Sequence, residues 1–149
     1  MKIKNIELIN FRNYETLSID LSPKINIFYG NNAQGKTNIL ESIFLCSLGK
    51  SFRSNKEKEF IQFEKEFTSV RIEYEKKDRD GKIKYDIADK KIVTVNGIKI
   101  KKLSEILGNI HTVIFTPDDI AILKNGPASR RKFLDMFIRT IKTKLYLLY

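Results

Sequence analysis

Residues 30–37 read GNNAQGKT and meet every fixed position of the phosphate-binding pattern G-x-x-x-x-G-K-[ST]. Gly30 and Gly35 let the backbone turn tightly and approach a ligand, because no Cβ stands in the way. The loop that runs through Asn31, Asn32, Ala33 and Gln34 would then turn its peptide N–H groups inward as a nest for an anion. Lys36 is placed to reach the β- and γ-phosphates of a bound ATP. The Thr37 hydroxyl is placed to ligate Mg2+, and Asn38 completes the candidate set. A helix that starts near Lys36 would add its unpaired N–H groups and the positive end of its dipole.

The pattern carries meaning only between a strand and a helix, and the flanks read that way. Residues 25–29 (INIFY) are apolar and predict a buried strand, part of a third strand over 24–29. Ile39, Leu40, Ile43, Phe44 and Leu48 recur at helical spacing, and Gly49 stops the helix. Upstream, residues 1–8 alternate and predict a strand. A turn at residues 11–14 (FRNY) leads to a second strand carrying Leu17, Ile19 and Leu21. Two strands before the loop strand are an unusual opening for a simple nucleotide kinase.

Downstream, residues 50–66 predict a loop with a short element near 60–63. A strand follows over 67–74, and Asp80-Gly81 and Asn96-Gly97 predict two hairpin turns, which makes the middle of the chain an antiparallel meander. A short helix over 103–107 and an apolar strand over 110–115 come next. Thr116-Pro117-Asp118-Asp119 resembles the acidic end of a Walker B strand. Thr at the cap, Pro at the first helical position and Asp in the first turn read instead as a helix start. From Ala128 onward an apolar face (Leu134, Phe137, Ile138, Ile141, Leu145, Leu148) is flanked by Arg130, Arg131, Lys132, Arg139, Lys142 and Lys144, a basic amphipathic helix.

The composition bounds the reading. At 149 residues the chain is one domain or part of one, and its net charge of +10 favours an anionic partner larger than a nucleotide, nucleic acid first. Cys46 is the only cysteine and His111 the only histidine, which excludes a disulfide framework, a thiolate metal site and a histidine metal cluster. No apolar run approaches the roughly 20 residues that span a bilayer. A cytoplasmic setting is expected.

Three runs extend the motif into a resemblance: NFRNYETLSIDLSPKINIFYGNNAQGKTNILESI, then LGKSFR at 48–53, then FTPDDIAILKNGPASRRKFLD at 115–135. Together they resemble the SMC-like branch of ABC ATPases, and within it the RecF family. The resemblance implies an α/β fold, the N-terminal part of an ABC-type (SMC/RecF-like) P-loop ATPase domain. It would have a mixed sheet, an antiparallel meander and flanking helices, with residues 1–126 as a lobe and 127–149 as the start of a helical arm. It implies ATP-dependent homodimerisation and recombination and repair at gapped or single-strand/double-strand DNA, with RecO and RecR as partners.

Members of that family are more than twice this length. The chain therefore resembles an N-terminal fragment, expected to bind nucleotide with negligible turnover and to expose apolar surface. Arg12 matches an arginine that contacts nucleotide in SMC-like ATPases, and Asp118 or Asp119 would sense magnesium. Ala33 departs from the family, whose loops often carry Gly there, and is tolerable if its φ stays negative. Two other readings stay open: a P-loop kinase or nucleotide-binding regulator without a DNA role, and a basic interaction module that binds no nucleotide.

Overall fold

The computed structural model describes residues 1–54, 56–116, 127 and 131. The chain divides into two compact units, Met1–Thr112 and Val113–Tyr149. The expected lobe boundary at 126/127, the helix start at Pro117-Asp118-Asp119 and the basic helix beyond Ala128 lie outside the described residues, apart from Pro127 and Arg131. The structure below is that of the first unit.

Alternation builds the sheet. In β1 (Lys2–Phe11) Ile6 and Leu8 are fully buried, while Glu7 and Ile9 face outward. The same two-residue period places Val70, Ile72 and Tyr74 of β3 (Thr68–Lys76) and Ile83, Tyr85 and Ile87 of β4 (Arg79–Ile87) on that inner face. With β2 (Tyr14–Asp20), β5 (Lys91–Val95) and β6 (Ile98–Lys99) they form one six-stranded sheet in the order β2-β1-β3-β4-β5-β6, and every strand pair is antiparallel. One helix, α1 (Lys36–Leu48), packs against β3 and β4 and covers the inner face. Its Ile39, Phe44, Leu45 and Cys46 are buried there. Gly49 ends α1 in the left-handed conformation, φ 70°, and returns its N–H to the Leu45 carbonyl at 2.8 Å. Among the described residues no helix is long and apolar enough to cross a membrane.

Four local expectations change. The β3–β4 turn is Lys77-Asp78, both at positive φ (50° and 59°), rather than Asp80-Gly81. Gly81 lies within β4 opposite Tyr74, and a Cβ there would sit 2.3 Å from the Tyr74 ring. Glycine is needed for ring packing at that position, not for turning. The Asn96-Gly97 hairpin forms where expected, between Val95 and Ile98.

The strand expected over 24–29 is not part of the sheet: Ile25, Ile27 and Tyr29 are 77%, 79% and 91% exposed, and only Phe28 packs on the core. Its residues have strand propensity, but no strand among the described residues offers their N–H and C=O groups a ladder. Asn26 closes a turn onto Ser22 instead, through hydrogen bonds of 2.8 and 2.9 Å. The strand expected over 110–115 is likewise reduced to a single bridge, Leu107 to Ile110. The short elements near 60 and 103 are 3-10 turns, Glu57–Phe60 and Leu103–Ile106.

Candidate nucleotide site

The loop meets the helix at Gly35, whose φ of 92° and ψ of 4° place it in the left-handed region as the N-cap of α1. A Cβ at Gly35 would lie 2.6 Å from Asn13 Oδ1 and 2.7 Å from the Tyr14 ring, so this position excludes any side chain on two counts. The Gly35 carbonyl accepts from the N–H groups of Asn38 (2.8 Å) and Ile39 (3.2 Å). No side chain caps the helix and no acid stands in its first turn. The N-terminal N–H groups therefore face outward with the dipole unneutralised, the electrostatic arrangement that draws an anion.

Lys36 belongs to that turn, and its ammonium donates to the carbonyls of Gly30 (2.8 Å) and Asn31 (2.5 Å), folded back across the loop. Those are the acceptors it would exchange for phosphate oxygens. Gly30 (φ 141°) supplies the hinge at the loop's start. Thr37 is exposed at the same helix end, so its hydroxyl is accessible to a cation accompanying a phosphate chain. The residues present fit Mg2+ held by Thr37, phosphate oxygens and water. Among the described residues no group of three or more His, Cys, Asp or Glu side chains is arranged to hold a metal by itself.

A wall stands behind the loop, and the sequence reading did not anticipate it. The β1–β2 turn carries Arg12 (φ 57°), Asn13 and Tyr14. Asn13 Nδ2 donates to the Ala33 carbonyl at 3.4 Å, and the Tyr14 hydroxyl donates to the Gln34 carbonyl at 3.3 Å. Burial raises the Tyr14 phenol above its ordinary 10.0, which keeps it a protonated donor at neutral pH.

Arg12 is anchored by Glu41, a fully buried carboxylate on α1. Nε donates to Oε2 at 3.1 Å and Nη2 to Oε1 at 2.7 Å, a two-pronged pair. Nη1 donates to the Glu59 carbonyl at 2.7 Å, and the guanidinium lies 5.2 Å over the Phe60 ring. Ser51 donates its hydroxyl to the same carboxylate. Arg53 approaches it at 3.7 Å and gives Nη1 to Asn38 Oδ1 at 2.7 Å.

The structure thus brings Gly30, Asn31, Asn32, Ala33, Gln34, Gly35, Lys36, Thr37 and Asn38 into one loop and helix end. Arg12 stands behind that loop, three of its five N–H groups given to Glu41 and Glu59 rather than aimed at the phosphate cradle. Ala33 is at φ 64°, so the condition of a negative angle under which alanine would sit there without strain is not met. Glu41, Asn13, Tyr14, Ser51 and Arg53 were missed. One signal was available for Glu41: it shares a helical face with the apolar Phe44 and Leu45, and an acid on a buried face requires a cationic partner.

Comparison with known proteins places the chain in a family. Residues 5–138 match the AAA domain family. The DNA replication and repair protein RecF of Clostridium acetobutylicum is 51% identical over 148 residues, 98% of this chain and 41% of that protein. The chain therefore spans about two fifths of the length of such relatives. The solved structure of the recombination mediator protein RecF-ATP in the RecFOR pathway superposes with a TM-score of 0.82 at 42% identity, covering 93% of this chain and 39% of that one. The SMC head domain from Thermotoga maritima shares the fold at a TM-score of 0.60 and 17% identity, over 71% of this chain and 41% of that one. The chain belongs to the AAA domain family of P-loop ATPases, and within that family it is similar to RecF over nearly its whole length.

Proposed function

We propose that this chain is the ATP-binding portion of a RecF-like recombination and repair protein. The observation that carries the reading is the uncapped, acid-free N-terminus of α1 facing a loop whose lysine is folded over its own carbonyls. The loop N–H groups would hold the β- and γ-phosphates of ATP, Lys36 would exchange the Gly30 and Asn31 carbonyls for a phosphate oxygen, and the Thr37 hydroxyl would hold the accompanying Mg2+. When bound, that ion supplies charge neutralisation between the phosphates.

The finer reading extends to DNA. The net charge of +10 suits a phosphate backbone, and duplex DNA at gap junctions is the proposed substrate. We extend the proposal, on the likeness to RecF, to ATP-dependent homodimerisation, contact with RecO and RecR, and a cytoplasmic setting.

The test is direct. Titration with ATP and Mg2+ is expected to show saturable binding that Lys36→Ala abolishes, and binding unchanged by that substitution refutes the site. Affinity for duplex DNA is expected to fall steeply between low and moderate salt. A salt-independent affinity, or none, removes the DNA part while leaving the nucleotide part standing.

A further inference from the structure

The middle of the phosphate loop is held from outside the loop. Ala33 is at φ 64°, in a region that a residue with a Cβ enters only when its surroundings enforce it. The enforcing groups are visible: two consecutive loop carbonyls, Ala33 and Gln34, are each gripped from the β1–β2 turn, by the Asn13 amide at 3.4 Å and the Tyr14 hydroxyl at 3.3 Å. A peptide is planar and trans, so the C=O of one residue and the N–H of the next point in opposite directions. Holding the Ala33 carbonyl toward the wall turns the Gln34 N–H away from it. Holding the Gln34 carbonyl does the same for the Gly35 N–H.

We propose that Asn13 and Tyr14 are positioning residues of the phosphate site, aiming the Gln34 and Gly35 N–H groups at the bound phosphate chain. The inference rests on the nucleotide reading above and adds the device that preorganises the site. Asn13 must present nitrogen, not oxygen, to the loop, and its neighbours select that orientation. Its Oδ1 accepts from Asn38 Nδ2 at 2.7 Å, and Asn38 is itself oriented by Arg53 Nη1 on its Oδ1 at 2.7 Å. Arg53 lies 3.7 Å from the Glu41 carboxylate, and that carboxylate holds Arg12, the residue before Asn13. The ring closes through the chain. Tyr14 has a second duty, since its ring lies where a Gly35 side chain would stand, and the two roles separate cleanly: Tyr14→Phe keeps the ring and removes only the donor.

The experiment titrates the whole chain, Tyr14→Phe and Asn13→Ala with ATP and, as a probe of the phosphate chain alone, inorganic tripolyphosphate. Thermal melting and the backbone amide resonances of Gln34 and Gly35 are followed in parallel, with Lys36→Ala as the reference for the site itself. Tyr14→Phe is expected to weaken both ligands about fivefold and Asn13→Ala about tenfold, the range of a single hydrogen bond. Tyr14→Phe is expected to keep the wild-type Tm while the Gly35 amide resonance moves. Wild-type affinity in both variants, with binding still lost in Lys36→Ala, overturns the positioning role and leaves the nucleotide site standing. A fall in Tm with affinity retained marks the two residues as purely structural and overturns it equally. Failure of the wild-type chain to bind either ligand overturns the nucleotide reading and this inference together.

Discussion

Replacing Glu41 by Gln isolates one charge at the centre of the site's scaffold. The carboxylate is fully buried, receives two N–H groups from Arg12 and one hydroxyl from Ser51, and has Arg53 at 3.7 Å. Gln has nearly the same shape, so no cavity term enters. What is lost is one formal charge and one of two strong acceptor oxygens, while the Arg12 guanidinium stays in place. Breaking a buried pair by removing one partner costs about 3–5 kcal/mol, because the other charge is left uncompensated.

Two features lower the figure here. The Arg12 side chain is 17% exposed and keeps the Glu59 carbonyl and the Phe60 ring, and Arg53, at 46% exposure, contributes as a surface charge does. The expectation is about 2–3 kcal/mol, or a fall in Tm of roughly 4–12 °C for a chain of this size. Urea unfolding followed by circular dichroism measures it, with an unchanged m-value showing that the denatured state is the same. Glu15→Gln is the control: its pair with Lys65 is 3.3 Å long but largely exposed, and its loss is expected to cost less than about 0.5 kcal/mol. Equal effects of the two substitutions would refute the reasoning, since Glu41 is buried among several donors whereas Glu15 is exposed with one lysine partner.

Three further outcomes are expected. Gly35→Ala meets both the Asn13 oxygen and the Tyr14 ring at a φ of 92°, so ATP affinity falls by about tenfold to a hundredfold, the equivalent of 1–3 kcal/mol of strain; retained affinity in a binding titration would contradict the geometry. Ala33→Gly relieves about 1 kcal/mol of left-handed strain but loosens the unfolded chain by a similar amount, so Tm is expected to move by less than about 3 °C, whereas Ala33→Val is expected to lower it clearly. Burial raises the Cys46 thiol above its ordinary 9.0 and the Tyr85 phenol above its ordinary 10.0. The unfolded chain then loses these protons first, so the contribution of these two groups is constant well below about pH 9 and falls as pH rises through it; a Tm that climbs above pH 9 would reverse the sign.

The cradle was legible because its chemistry is written in consecutive residues. Gly30, Gly35, Lys36 and Thr37 carry out their parts within one stretch of backbone, and the helix after them follows from apolar spacing and a terminal glycine. The wall was not legible for the converse reason. Asn13 and Tyr14 sit twenty residues before the carbonyls they hold, in a stretch, FRNY, where only Arg12 was linked to nucleotide, and that by resemblance. Nothing in that stretch's composition says which loop will lie against it. The same distinction separates the two hairpins: Asn96-Gly97 makes its turn by local backbone preference, while Gly81 answers to the Tyr74 ring across the strand, a contact that a dipeptide cannot express.

Residues 25–29 show the limit from the other side. Their apolar character is real and led to the expectation of a buried strand, yet Ile25, Ile27 and Tyr29 stand exposed. Hydrophobic pattern specifies that a segment gains free energy by being covered, and leaves open what covers it. For β1 that question is answered by its neighbours β2 and β3 and by the core cluster it joins, all within the described chain. For 25–29 it is not, and the segment leads directly into Gly30.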